Sequence, residues 1–199
     1  MKLFISSLVA FFVLINPVQK ILVINSLQKN FSHAELQYIA YKSTFAAALI
    51  LIFFFFLGQF VFTYIFHVEL YSFKIACGMV LVITGLSGLQ KGVMVNMDEN
   101  MKIDDLTAVP IAMPMIAGPA TITAAVTFSA HYGRVNTLLA IITGLVINML
   151  LMLSATAIGK FLIKYNFMNP LVRIFGLIVA TIGLQMVFDG ISEFIATVG

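Results

Sequence analysis

Long apolar stretches separated by short polar connectors dominate the pattern of hydrophobic and polar positions along the chain. A helix needs roughly 20 apolar residues to cross a bilayer, and six stretches approach that length. They are residues 4–27, 43–66, 72–89, 106–130, 137–163 and 171–195, with most charged residues in the connectors between them. The pattern therefore predicts an all-α polytopic membrane protein with about six transmembrane helices, surrounded by the lipid bilayer.

The composition supports this prediction and narrows the class of function. Of the 199 residues, 61% are hydrophobic and 10% are charged, against about 45–50% and about 25% in soluble domains. The single cysteine, Cys77, excludes an intrachain disulfide, and the three histidines are scattered over connectors, which argues against a metal site. Since the chain also lacks catalytic motifs and phosphate-binding loops, we expect no enzyme, no cofactor and no nucleic-acid partner.

The distribution of Lys and Arg predicts the orientation of the chain. Connectors on the side of both termini carry Lys2, Lys74 and Arg134. Those on the opposite side carry Lys29, Lys42, Lys91, Lys102, Lys160, Lys164 and Arg173. Because Lys and Arg are enriched in cytoplasmic loops, both termini should lie on the non-cytoplasmic side of the cell (inner) membrane. The connector of about residues 90–105 should then be cytoplasmic.

The chain also resembles itself. The first and fourth spans each carry a proline near the middle, in Asn16-Pro17 and Gly118-Pro119, and the third and sixth spans open with Lys74-Ile75 and Arg173-Ile174. A three-span unit must be inverted relative to its copy, as in many secondary transporters. We therefore predict a single transmembrane domain over residues 1–199, with inverted repeats at 1–95 and 103–199 joined by the cytoplasmic linker.

The two prolines predict where a solute binds. Proline interrupts a helix, and an Asn or Gly before it suits a new helix start, so the first and fourth spans should break at mid-membrane. Each start presents free N–H groups and the positive end of a helix dipole, which suit a carboxylate. The predicted substrate-binding residues are Asn16, Pro17, Gln19, Lys20, Gly118, Pro119, Thr121 and Thr123. The alternative is that both prolines are kinks healed by neighbouring helices.

Two ionisable residues are candidates for ion coupling. Lys20 lies within one turn of the first break, where a charge costs about 2.5–3.5 kcal/mol. It could neutralise a carboxylate, take part in coupling, or extend toward the cytoplasmic surface. Asp189 shares a face of the sixth span with Gln185, and it is either a proton carrier or simply hydrated.

Other polar and small residues in the spans favour structural roles. Asn148 lies inside the fifth span, where an interhelical hydrogen bond is the expected role. Gly78, Gly85 and Gly88 follow one another at helical spacing in the third span, which indicates close helix packing.

Together these motifs resemble the MarC family of integral membrane proteins over essentially the whole chain. The resemblance rests on Asn16-Pro17, on the run from Pro110 through Pro114 to Gly118-Pro119-Ala120-Thr121-Ile122-Thr123, and on Gln185-Met186 with Asp189-Gly190. It implies a SnatA-like transporter of small neutral amino acids coupled to an ion gradient, although many members have no settled substrate. After Asn-Pro the sequence departs from the family pattern, with Gln19, Lys20 and Leu22 in place of a small residue, Asn and Pro.

We therefore expect a secondary transporter that moves a small solute, most simply a small neutral amino acid, with the proton as the first candidate for coupling. A channel or passive facilitator, in which the same polar breaks line a pore, is the alternative from another class. An exporter of other small metabolites or drugs and a membrane scaffold without transport also fit the pattern. A homo-oligomer is compatible with the sequence.

Overall fold

The computed structural model describes residues 2–28, 30–91 and 107–198, and every regular element in these ranges is a helix. The greater part of the predicted linker at 90–105 lies outside the described residues. In chain order the helices are α1 (Lys2–Ile15), α2 (Pro17–Leu27), α3 (His33–Phe60, which continues as a π-helical turn over Val61–Ile65), α4 (Leu70–Lys91), α5 (Thr107–Ile116), α6 (Pro119–Tyr132), α7 (Arg134–Leu153), α8 (Ala155–Lys164) and α9 (Met168–Val198).

Helices long and apolar enough to cross a bilayer account for most of the chain. In the described ranges there are five such stretches: Lys2–Asn25, His33–Ile65, Leu70–Gln90, Arg134–Leu153 and Asn169–Thr197. The remaining predicted span, the fourth (residues 106–130), corresponds to α5 and α6, which are 10 and 14 residues long and therefore too short individually. The protein is thus an all-α, multi-pass membrane protein, as the pattern predicts.

Two helix boundaries differ from the sequence prediction. α3 begins at His33, ten residues before the predicted span at 43, because Ser32 and Glu35 form a capping box. The Ser32 N–H donates to Glu35 Oε2 at 2.7 Å, and the Glu35 N–H donates to Ser32 Oγ at 3.4 Å. The predicted fifth span is likewise divided, since α7 ends at Leu153 and α8 follows after Ser154 (φ −89°, ψ 0°).

α4 and α9 pack against each other as an antiparallel pair through their glycines. A Cβ atom on Gly78 would lie 2.6 Å from the carbonyl oxygen of Gly183, and one on Gly85 would lie 2.5 Å from that of Gly176. Such distances leave no room for a side chain, so the two backbones are in direct contact. The prediction of close packing is confirmed for Gly78 and Gly85, whereas Gly88 has room for a methyl group.

The other helices enclose the main apolar core. Phe11 and Ile15 of α1, Leu51 of α3 and Ile141 of α7 are buried there, and Gly144 of α7 faces Ile15. Large apolar side chains cover the outside of the bundle, where Phe45, Phe56 and Tyr64 are about two-thirds exposed (67%, 68% and 68%). An exterior of this kind is compatible with lipid rather than water.

The first described helix begins at the same end of the bundle at which the last one ends. The rings of Tyr71 and Phe194 are 5.4 Å apart, and the hydroxyl of Ser7 donates to the carbonyl of Asn136 at 3.4 Å. One cavity, lined by residues of α1, α4, α6 and α9, joins these two contacts. The start of α4, the end of α9, the start of α1 and the α6–α7 turn therefore share one end, called the terminal end below.

Candidate functional site

The first span breaks at Asn16, as predicted. Asn16 has φ 53° and ψ 67°, a left-handed conformation that asparagine adopts more easily than most residues. α1 ends at Ile15, and Pro17 is the first residue of α2. The side-chain oxygen of Asn16 accepts a hydrogen bond from the Gln19 N–H at 3.4 Å. Asn16 therefore caps α2, which satisfies one of the N–H groups that the break exposes.

The second break, at Gly118, has the same position relative to proline but lacks a side-chain cap from any described residue. Gly118 is extended (φ −82°, ψ 170°), and Pro119 begins α6. α5, before the break, ends with i to i−5 hydrogen bonding, in which the Ala117 N–H donates to the Ala112 carbonyl at 2.9 Å. The start of α6 therefore leaves more backbone N–H groups available to a ligand than the start of α2.

A polar side chain on the far side of each break bonds the last carbonyl of the preceding half-helix. Lys20 Nζ donates to the carbonyl of Ile15. Thr121 Oγ1 lies 2.9 Å from the carbonyl oxygen of Ile116 and equally close to that of Gly118. Because the last carbonyls of a helix lack partners and carry the negative end of its dipole, these contacts stabilise both breaks. Lys20 is only 1% exposed, so it does not extend toward the cytoplasmic surface.

A cavity of about 140 Å³, called the central cavity, lies where the two breaks meet. Six of the eight predicted substrate-binding residues line it: Asn16, Gln19, Lys20, Gly118, Pro119 and Thr121. Pro17 is buried beside it and is not among its lining residues. The opposite wall comes from Val80, Leu81 and Thr84 of α4 and Val179 of α9. The sequence did not predict this wall, because apolar lining residues look like any other residue of a span.

A second cavity of about 290 Å³, called the vestibule, lies toward the terminal end. The residues with polar side chains that line it are Lys74, Thr123, Thr127, His131, Tyr132, Gln185 and Asp189. The amide of Gln185 donates to Asp189 Oδ1 at 2.8 Å, and Lys74 pairs with Glu193. Thr123 donates to the Pro119 carbonyl at 2.9 Å and lines the vestibule rather than the central cavity. The two predicted coupling residues, Lys20 and Asp189, therefore lie in different cavities.

Asn148 differs from its predicted role. It is fully buried, and its amide donates to the sulfur of Met152 at 3.4 Å, one turn further along α7. Its side-chain oxygen has no hydrogen-bond partner within the described ranges. Among the described residues, the amide of Asn148 therefore bonds within α7 and does not form the predicted interhelical hydrogen bond.

Known proteins resemble this chain along nearly its whole length. The family pattern that matches residues 1–195 is described as "MarC family integral membrane protein". A UPF0056 membrane protein of Pyrococcus horikoshii is 32% identical over 190 residues, covering 96% of this chain and 94% of that protein. One from Methanocaldococcus jannaschii is 29% identical over 204 residues (96% and 97% covered), and one from Aquifex aeolicus is 24% identical over 200 residues (96% and 93%). No solved structure matches the chain.

Proposed function

Because the chain belongs to the MarC family of integral membrane proteins, we propose that it is a secondary transporter of a small neutral amino acid. The solute binds in the central cavity, and its movement is coupled to an ion gradient, with the proton as the first candidate. The transporter lies in the cell (inner) membrane with both termini on the non-cytoplasmic side. The proposal includes no enzymatic activity, metal or cofactor.

The observation that carries this proposal is the meeting of two half-helix starts at one small cavity. The breaks at Asn16 and Gly118 are distant in sequence, yet both residues line the same space. Unwound backbone inside a membrane protein is tolerated where it lines a cavity, and discontinuous helices of this kind form the substrate sites of many secondary transporters.

The size of the central cavity favours a small solute over a drug. Pockets for drug-sized ligands have volumes of roughly 300–1,000 Å³, whereas this cavity has about 140 Å³. A water molecule takes roughly 30 Å³ in the liquid, so the central cavity has room for a solute of a few non-hydrogen atoms. These magnitudes support the amino-acid proposal over the export of drugs.

The two walls of the central cavity differ in a way that suits a neutral amino acid. The start of α6 at Gly118 offers N–H groups and a positive dipole end, and the side-chain nitrogen of Lys20, which is also a hydrogen-bond donor, lies at the same cavity. Both favour a carboxylate. On the other wall, Val80, Leu81 and Val179 present apolar surface, which suits a short aliphatic side chain.

A passive facilitator is the second candidate, and one observation favours it. The central cavity and the vestibule both contact Leu14 and Ala120, so a route from the terminal end into the membrane centre needs little rearrangement. Purified protein in liposomes distinguishes the two. A secondary transporter accumulates labelled alanine against its gradient when a proton gradient is imposed, whereas a facilitator only equilibrates it.

The binding test uses the thermal stability of the purified protein with each amino acid. Binding to the folded state stabilises it by RT ln(1 + [L]/Kd), about 2.7 kcal/mol at a hundredfold excess over Kd. We expect glycine or alanine to stabilise the protein and an amine without a carboxylate to have no effect. Gly118→Val should abolish the stabilisation, because its side chain fills the approach to the α6 start. The extended backbone of Gly118 accepts valine, so this variant should fold.

Gly88→Ala is the matched control, because a methyl group there makes only ordinary contacts in the α4–α9 pair. It should leave the stabilisation by alanine unchanged. Asn16→Ala should weaken binding as well, since it removes both a polar lining group and a cap worth about 0.5–2 kcal/mol. If Gly118→Val is folded and binds alanine as tightly as the parent protein, the breaks are only kinks and the site lies elsewhere.

A further inference from the structure

The two cavities are parts of one groove. Both lie between the α4–α9 pair on one side and the broken helices on the other. Along α9, Val179 lines the central cavity and Ile182, one turn later, lines the vestibule. The wall formed by the α4–α9 pair therefore runs without interruption from the terminal end to the breaks.

The groove is divided where α1 and α6 approach each other. Leu14 in the last turn of α1 and Ala120 in the first turn of α6 line both cavities. Ala120 is small and 3% exposed, so Leu14 supplies most of the side-chain volume at this point. An isobutyl group offers no hydrogen bond to a zwitterion, which would lose hydration on passing it.

We propose that Leu14 is the gate residue between the vestibule and the central cavity, and that solute from the terminal end reaches its site by passing it. The proposal rests on the function proposed above. The vestibule holds the zwitterion first, where Asp189 and Gln185 offer oxygen and amide groups and the hydroxyl of Thr127 lies in the lining.

The position of Leu14 suits a side chain that must move. α1 ends at the next residue, Ile15, and the chain then turns at Asn16. Leu14 therefore lies where the regular hydrogen bonding of α1 stops, and a rotamer change there requires no rearrangement of a long helix. The partly buried state of Leu14, in contrast with fully buried Ile15, indicates free volume on its cavity side.

The single cysteine makes this route measurable. Cys77 is buried and contacts Thr123, so Cys77→Ser keeps a hydrogen-bonding group there and removes the native thiol. In that background, Thr84→Cys reports on the central cavity and Thr127→Cys on the vestibule. Thr84 is also exposed at the surface of α4, which faces lipid in a bilayer, and a charged probe does not cross lipid. The probe is a membrane-impermeant methanethiosulfonate with a trimethylammonium group, added to liposomes of known orientation from the terminal end.

We expect Thr127→Cys to react readily and Thr84→Cys to react slowly while Leu14 is present. Leu14→Ala should raise the reaction rate of Thr84→Cys by about tenfold or more, which corresponds to about 1.4 kcal/mol of barrier, and leave Thr127→Cys unchanged. Leu14→Phe should lower the rate. The matched control is Leu3→Ala, a leucine of the same helix that is exposed and lines neither cavity.

Leu14→Val is a milder variant that should give an intermediate rate if Leu14→Ala does not fold. The gate proposal is overturned if Thr84→Cys reacts equally fast with leucine, valine or alanine at position 14, or if it reacts only from the opposite end. The labelling needs no bound solute. A protein that binds no amino acid but shows the Leu14-dependent rate would refute the proposed function and leave the route intact.

Discussion

The contact between α4 and α9 makes Gly85→Ala the most direct test of the structure. The new methyl carbon would lie 2.5 Å from the backbone nitrogen of Ala180 and from the carbonyl oxygen of Gly176. Both are backbone atoms, so no side-chain rotation can relieve the overlap. The two helices must move apart locally.

The magnitude follows from the distance. Ordinary van der Waals contact of a Cβ atom begins at 3.4 Å, so the helices must separate by about 0.9 Å (3.4 − 2.5). A gap of 0.5–1 Å forfeits roughly a quarter to a half of a contact worth about 0.1–0.2 kcal/mol. With on the order of 50 atom pairs affected, comparable to one buried leucine, the loss is about 1–5 kcal/mol. At about 2–4 °C per kcal/mol for a chain of this length, Tm falls by about 2–20 °C.

Cys77 provides the assay, since it lies in α4 next to Gly78 and is buried with a free thiol. A maleimide that fluoresces on reaction with thiols reports the exposure of Cys77 as the detergent-solubilised protein is heated. The signal comes from the helix that Gly85→Ala perturbs, and Cys77→Ser gives the background.

Gly88→Ala is the matched control for Gly85→Ala. A methyl group on Gly88 would lie 3.6 Å from Gly176 Cα and 4.0 Å from the Val172 carbonyl oxygen, which is ordinary contact. Because alanine favours the helix by about 1 kcal/mol over glycine, this variant should be as stable as the parent or slightly more stable. Equal Tm values for the two variants, or a larger loss for Gly88→Ala, would refute the described packing of α4 on α9.

Two further predictions concern coupling and topology. Asp189→Asn should abolish alanine uptake driven by a proton gradient while exchange at equal concentrations continues, because the amide cannot bind and release a proton; unchanged gradient-driven uptake in liposomes would remove Asp189 from the mechanism. Reporter fusions at Gly199 and within the 90–105 connector should report opposite sides of the membrane, with Gly199 outside the cytoplasm, and a cytoplasmic C-terminal fusion would contradict the orientation predicted from the loop charges.

The fold class and the breaks could be predicted from the sequence because their causes are local. Apolar length sets the spans, and proline removes an N–H and fixes φ, which places the breaks at Asn16-Pro17 and Gly118-Pro119. The early start of α3 could also be predicted, since Ser32 and Glu35 have the spacing of a capping box. The length of the apolar runs does not indicate it, because the first turns of α3 are polar. The division between α7 and α8 at Ser154 has no comparable signal.

The candidate site could be predicted only in part, since the rest depends on packing. The residues next to the two prolines were identified, and six of them share the central cavity. The opposite wall, with Leu81 and Val179, comes from α4 and α9, whose apolar residues carry no distinguishing pattern. For Lys20, the sequence predicts a basic residue at the break but not its hydrogen-bond partner. Its hydrogen bond to the Ile15 carbonyl depends on how the chain folds back at the break.

The glycines of α4 and α9 bear on the inverted repeats that the sequence predicts. Gly78 lies against Gly183, and Gly85 lies against Gly176. Gly176 lies 98 residues after Gly78, and Gly183 lies 98 residues after Gly85. Each contact therefore joins one glycine of α4 to the α9 counterpart of the other. In an antiparallel pair this exchange is what a two-fold axis perpendicular to the helices produces, and such an axis in the membrane plane relates inverted repeats. The two breaks differ by 102 residues, from Pro17 to Pro119, so the glycine pairs and the breaks are offset by about one helical turn (102 − 98). The four extra residues lie between the break and the first glycine of the pair, since Pro17 and Gly78 are 61 residues apart and Pro119 and Gly176 are 57 apart. The helices and connectors of the first half are therefore longer in this stretch than those of the second half.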